Sequence, residues 1–234
     1  MHPARIAELL QQYLSPTSDP CHSEPAKAGE ESAVLSAPQL QSISTYIDLL
    51  QHWNARINLT AIRNEEEIVT RHFGESLFAA RHLFPRVSSA SSAVKAFEVA
   101  DLGSGAGFPG VPIKLWAPNI ALTLIESNQK KATFLHELAR ALTLTDVNIQ
   151  NARAETLLQS TFDVVTLRAV ERLAKVLPVA ATLLAPNGRL ALLIASNQLD
   201  ATRSHLPNLY WDPPIPTPQS RSRRLLIGHR EPQA

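Results

Sequence analysis

The residues with the clearest chemical use stand together at Asp101-Leu102-Gly103-Ser104-Gly105-Ala106-Gly107. Glycine accepts positive φ and, lacking a Cβ, lets main-chain amides approach a ligand closely. Here three glycines alternate directly after an acidic residue near the end of the run Ala96–Leu102. A second branched run, Ile120–Ile125, leads into Glu126, whose carboxylate can accept both hydroxyls of a ribose. A bare bend beside an acid on the next strand is the chemistry of a nucleoside site. In an open α/β sheet such sites lie beyond the carboxyl ends of the strands, near the switch point. Asp101, Gly103, Gly105, Gly107 and Glu126 are therefore the first candidates.

The same residues admit two rival readings. Gly105-Ala106-Gly107-Phe108-Pro109-Gly110 satisfies G-x-G-x-x-G with an acid downstream, the fingerprint of a nicotinamide dinucleotide site. Against it, the glycines begin two residues earlier, and Pro109-Gly110 stands where the helix should be entering. The glycines could also make a purely structural turn.

Around this bend the pattern is α/β. Runs at 96–102, 120–125, 147–150, 162–167 and 189–194 alternate with helical stretches near 110–117, 128–142 and 170–185, and Asn187-Gly188 reads as a turn before the fifth run. Segments 209–217 and 223–229 flank a proline-rich turn and read as a hairpin at the sheet edge, which is foreign to a nicotinamide domain. This predicts a Rossmann-like, mostly parallel seven-stranded sheet with a C-terminal antiparallel hairpin, and it resembles the methyltransferase variant of the doubly wound fold. Ahead of it, residues 39–57 carry Ile43, Tyr46, Ile47 and Leu50 on one helical face. A second helix starts at Asn64, a capping side chain, with Glu65, Glu66 and Glu67 at its positive end. The expected division is a helix and mobile linker over 1–38, a helical cap over 39–90 and the α/β core over 91–234.

Composition sets outer limits. The 234 residues are 44% hydrophobic with a net charge of +1, so binding of nucleic acid would need a local basic patch rather than a whole-molecule field. The single cysteine, Cys21, forms no internal disulfide and offers no zinc pair. No metal site, membrane span or signal segment is read, and a cytoplasmic monomer is expected.

Several segments resemble the bacterial small-subunit rRNA methyltransferase family RsmG, also called glucose-inhibited division protein B. They are Trp53-Asn54-x-x-Ile57-Asn58-Leu59-Thr60-Ala61-Ile62, Arg71-His72-Phe73-Gly74-Glu75-Ser76-Leu77, and the bend continued through Phe108-Pro109-Gly110-Val111-Pro112. Glu126-Ser127-x-x-Lys130-Lys131, Ala152-Arg153-Ala154-Glu155 and Phe162-Asp163-x-Val165-x-x-Arg168-Ala169 follow in the family's order. The resemblance implies S-adenosylmethionine as cofactor and N7-methylation of one guanine in 16S rRNA, on free RNA or the small subunit. It places Gly103 and Phe108 against the cofactor, Ala154 and Glu155 beside its adenine, and Arg168 at the mouth. Three positions depart from the family: Glu75 where Asp is common, Leu167 where Ser is common, and Ala195-Ser196 where a Lys-Gly pair often follows the fifth strand. A ribosome-assembly factor that kept the fold and lost catalysis is the alternative.

Guanine N7 carries a lone pair at neutral pH, so its methylation needs alignment and no general base. Arg168, His72 and Asn58 are therefore candidate positioning groups rather than proton carriers, with Arg168 assigned to phosphate or guanine O6. Arg71 and Glu75, four residues apart, read from spacing alone as an intrahelical ion pair on a solvated face. The resemblance instead makes Arg71 and His72 RNA-guiding residues on a helix that roofs the cleft. Lys130 and Lys131 are further RNA candidates, with Arg153, Arg172, Lys175, Arg221, Arg223 and Arg224 as a possible phosphate-binding set. Trp53 and Phe134 read as core.

Overall fold

Branched residues after position 96 place five parallel strands side by side: β1 (Glu98–Leu102), β2 (Ala121–Ile125), β3 (Val147–Gln150), β4 (Phe162–Arg168) and β5 (Leu184–Ala195). The computed structural model describes residues 1–15, 34–85, 96–157, 161–168 and 173–231. Most of the linker expected before residue 38, Cys21, Ala169 and Arg172 lie outside the described residues. At the C-terminal edge β6 (Leu209–Trp211), β7 (Ile215–Pro216) and β8 (Arg223–Arg230) complete the sheet. The order is β3-β2-β1-β4-β5-β8-β6. These are the seven strands expected, and the two-residue β7 is an eighth that pairs with β8 off this path. β8 is antiparallel to β5, β6 and β7. The chain moves outward from β1 to β3 and returns to β4, so the switch point lies between the carboxyl ends of β1 and β4.

The fifth strand begins earlier than its apolar run suggests. Asn187-Gly188 is a bulge inside β5 rather than a turn before it. Leu184 already pairs with Phe162, the register slips, and Arg189 pairs with Val164. Asn187 takes φ +63° to make the bulge, a backbone region that asparagine tolerates better than most residues.

Helices α5 (Gly110–Trp116), α6 (Gln129–Ala141), α7 (Leu173–Thr182) and α8 (Leu199–His205) cover the sheet. The Asn128 side chain accepts from the Lys130 and Lys131 amides and starts α6 at the edge of the bend. Helix α1 (Pro3–Leu14) and helix α2 (Ala37–Asn54) precede the core, and the helix expected from Asn64 is three pieces: α3 (Glu65–Glu67), a π-helical turn (Ile68–Gly74) and α4 (Glu75–Leu83). Asn64 caps it as expected, accepting from Glu67 N at 3.0 Å. The widened turn lies where α1 crosses. A Cβ on Gly74 would stand 2.6 Å from the Tyr13 ring, so only a bare residue fits. Ile43, Tyr46, Ile47 and Leu50 are fully buried, and they share one apolar cluster with Val99 of β1, Val111 of α5 and Phe134 of α6. The N-terminal helices thus close over the face of the sheet that α5 and α6 cover.

Candidate cofactor and nucleic-acid site

Main chain makes the floor. Gly103, Gly105 and Gly107 take φ of +68°, +55° and +91°, where a side chain costs roughly 1–2 kcal/mol. The bend is tied to the neighbouring strand because Gly103 N and Ser104 N both donate to Ile125 O, at 2.9 and 3.1 Å. Glu126 Oε2 accepts from Gly105 N at 2.9 Å, and its Oε1 accepts from Asn128 N at 2.7 Å. The acid is therefore aimed at the bend, with acceptor sites left on both oxygens. A Cβ on Gly105 would meet nothing closer than Gly103 O at 3.7 Å, so the floor is open there. Ala154 and Glu155 lie on a short 3₁₀ turn (Ala154–Leu157) after β3, the first half-buried and the second exposed.

Asp101 does not share that open surface. It is 0% exposed, with Oδ1 accepting from Thr166 Oγ1 at 2.9 Å and Oδ2 from Gly110 N at 3.2 Å. Burial raises its pKa from 3.8 to about 6 against these hydrogen bonds. The sequence placed it among cofactor contacts. The structure places it beneath the bend as a brace, because its carboxyl turns toward Gly110, where a Cβ would stand 2.9 Å from its own.

Side chains make the roof. Phe108 stacks between Tyr46 at 5.1 Å and His72 at 4.7 Å, with Phe73 edge-on at 5.1 Å. The Tyr46 hydroxyl donates to Ala106 O of the bend, so α2 holds the floor directly. Arg168 reaches up from the end of β4. Its Nη1 donates to His72 Nδ1 at 2.9 Å, its Nη2 to Arg71 O at 2.6 Å, and Nη2 and Nε to Glu75 Oε2 at 3.0 and 3.3 Å. Since Nδ1 accepts, the ring proton sits on Nε2 and is given to Thr60 Oγ1 at 2.8 Å. Burial, then the charges of Arg168, Arg71 and Arg223, lower the His72 pKa from 6.5 to about 3. His72 is therefore neutral, with its lone pair committed.

The predicted Arg71–Glu75 pair does not form. Glu75 is 4% exposed and pairs with Arg168, while the exposed Arg71 offers that residue only its carbonyl. The reason is the π-helical turn, whose wider winding breaks the register that four-residue spacing assumes. His72, read as an RNA contact, is also buried, under Phe108. Asn58 is exposed. The neighbouring Asn54 does the structural work instead, accepting from Leu59 N and Thr60 N at 2.9 and 3.1 Å and donating to Thr60 O at 2.9 Å. Sequence reading missed Asn54, Thr60 and the Tyr46 hydroxyl. The first two stand inside the segment around Asn58-Leu59-Thr60, and Tyr46 was visible only as part of an apolar face. Lys130 is exposed and Lys131 half-buried at the start of α6, and Trp53 packs edge-on to the fully buried Phe134 at 5.8 Å.

Residues 39–209 match the family model described as rRNA small subunit methyltransferase G. A protein of that name from Halorhodospira halophila is 40% identical over 173 residues, covering 74% of this chain and 77% of its own. The Bacillus pumilus protein of that name is 36% identical over 173 residues, covering 71% and 69%. Among solved structures, magnesium protoporphyrin IX methyltransferase from Synechocystis, with bound S-adenosylmethionine, superposes with a TM-score of 0.59 at 14% identity, covering 80% of this chain and 97% of that one. A methyltransferase from Pyrococcus furiosus gives 0.56 at 15% identity, covering 82% and 99%. These two establish the fold as the Rossmann-like methyltransferase type. With the family model spanning residues 39–209 and a relative 40% identical over 74% of the chain, the chain belongs to the rRNA small subunit methyltransferase G family.

Proposed function

We propose that this protein methylates N7 of one guanine in the 16S rRNA of the small ribosomal subunit, with S-adenosylmethionine as donor. The observation that carries the reading is the open glycine bend at the switch point with Glu126 bonded to Gly105 N. A nucleoside ribose fits that carboxylate, and the missing Cβ at Gly105 leaves room for close approach. The proposed cofactor contacts are Gly103, Gly105, Gly107 and Glu126, with Ala154 and Glu155 at the adenine end, Phe108 closing the roof and Asp101 bracing from below.

S-adenosylmethionine held there supplies a methyl group on a positively charged sulfur. That methyl would be accepted by the in-plane lone pair of guanine N7, with S-adenosylhomocysteine left as the product and the positive charge on the purine. No proton has to leave first, which suits a site whose histidine is neutral and already an acceptor. Positioning of this kind can lower a barrier by roughly 7–11 kcal/mol. A bare arginine beside a purine gaining positive charge would oppose the reaction. Glu75 at 3.0 Å offsets the charge of Arg168, which can then orient the base through hydrogen bonding.

Action as a monomer is part of the same proposal. Among the described residues no helix is long and apolar enough to cross a membrane, and a ribosomal substrate puts the protein in the cytoplasm. Incubation with methyl-labelled S-adenosylmethionine and either 30S particles or free 16S rRNA, followed by mapping of the label, tests the reading. Label on N7 of a single guanine is expected. Binding of NAD in place of S-adenosylhomocysteine, or cofactor binding with no transfer to either RNA, would overturn it.

A further inference from the structure

Beyond the cofactor bend, the carboxyl ends of β4 and β5 bound a small cleft lined by Leu167, Arg168, Leu193, Ile194, Gln198 and Arg223. Arg223 comes from β8, and strand register sets it directly opposite Ala195 at the end of β5. Ser196 N donates to Ser222 O at 2.6 Å and ties the end of β5 to the start of β8.

Among the described residues no acid lines this cleft. Arg168 has five N–H donors and spends four of them on His72, Arg71 O and Glu75, leaving one on Nη1. Among the described residues the Arg223 guanidinium has no hydrogen-bond or carboxylate partner, and its charge acts on both Arg168 and His72. The charge of Arg71 also acts on Arg168, and Glu75 pairs with Arg168 alone of these three arginines. An excess of positive charge, unpaired planar donors and an amide at Gln198 are the complement of a phosphodiester.

We propose that Arg223, from β8, binds a phosphate of the RNA strand next to the target base. This rests on the rRNA reading above and names one anchor for that substrate. The guanidinium would hold the backbone in register, while Arg168 faces the base.

The test compares Arg223→Ala and Arg223→Lys with the wild-type protein, using 30S particles, free 16S rRNA and S-adenosylhomocysteine. Arg223→Ala should raise KM for RNA about tenfold with kcat and S-adenosylhomocysteine affinity unchanged. In filter binding, the slope of log affinity against log salt should shrink by about 0.7–0.9, one phosphate contact. Arg223→Lys should restore the slope and most of the affinity. Unchanged RNA affinity and salt slope in Arg223→Ala overturn the proposal, as does a loss that Lys does not rescue. Filter binding reads the contact without catalysis. Wild-type protein that binds RNA but transfers no methyl would therefore sink the functional reading while the comparison of slopes still decides for or against Arg223.

Discussion

The floor and the roof of the cleft are built on opposite principles. The floor is main chain and its residues are neighbours in sequence, from Asp101 to Gly110, with Glu126 on the adjacent strand. The roof is side chain, and its partners lie far apart: Tyr46 meets Ala106, Glu75 meets Arg168, and Thr60 meets His72. A main-chain floor tolerates sequence change wherever glycine is kept. A roof of buried charges depends on every member, because removing one leaves another without its partner in a poorly solvating interior.

The largest expected effect breaks the roof. Glu75→Gln leaves Arg168 buried, charged and uncompensated, at a cost of about 3–5 kcal/mol. Urea unfolding should show this loss, and a variant within 1 kcal/mol of the parent would mean that Arg168 simply turns to solvent.

Next comes the point where roof and floor touch. A Cβ on Gly107 would stand 2.5 Å from the Tyr46 hydroxyl, at φ +91°. Gly107→Ala should destabilise by about 2–4 kcal/mol, combining steric contact with left-handed backbone strain. Adding Tyr46→Phe should recover the steric part and leave roughly 1–2 kcal/mol of strain. Calorimetric melting of the single and double variants separates the two, and strict additivity would show that the hydroxyl is no obstacle.

The smallest effect sets one buried group of each layer against the other by pH. His72 titrates near 3 when folded and 6.5 when unfolded, so its contribution is complete above 6.5 and lost as pH falls toward 3. Asp101 runs the other way. Its folded pKa of about 6 exceeds its ordinary 3.8, so its contribution is complete below 3.8 and lost as pH rises through 6. Between pH 4 and 6 the two slopes oppose each other. His72→Gln should lower the slope of stability against pH in that window by about 1.4 kcal/mol per unit, and Asp101→Asn should raise it by a similar amount. Parallel curves for all three proteins would remove both groups from the account.

The same contrast explains what could be read from sequence. The strand–helix alternation, the bend and the Glu126 partnership are local patterns, and they survive folding because neighbouring residues dictate them. The Asn187-Gly188 bulge was misread as a turn because both use positive φ, and only pairing of Leu184 with Phe162 separates them. The roof could not be read from spacing. Glu75 lies four residues from Arg71, a standard helical partner, yet finds Arg168, whose position 93 residues away is fixed by the sheet. Asp101 was visible as an acid at a strand end, but its direction, toward Gly110 and away from the open floor, depends on packing.

The π-helical turn at Ile68–Gly74 has a consequence for how this chain tolerates length changes. A π turn holds one residue more than an α-helix would need for the same rise. Deleting one residue there would let the segment rewind into a better-bonded helix and rotate its two halves by about 100° relative to each other. Asn64 and Glu66 would then no longer share a setting with Glu75, and the acid would swing off the arginine. The gain in local backbone comfort and the loss of the cleft come from the same edit, so this short stretch acts as a phase marker for the whole lid.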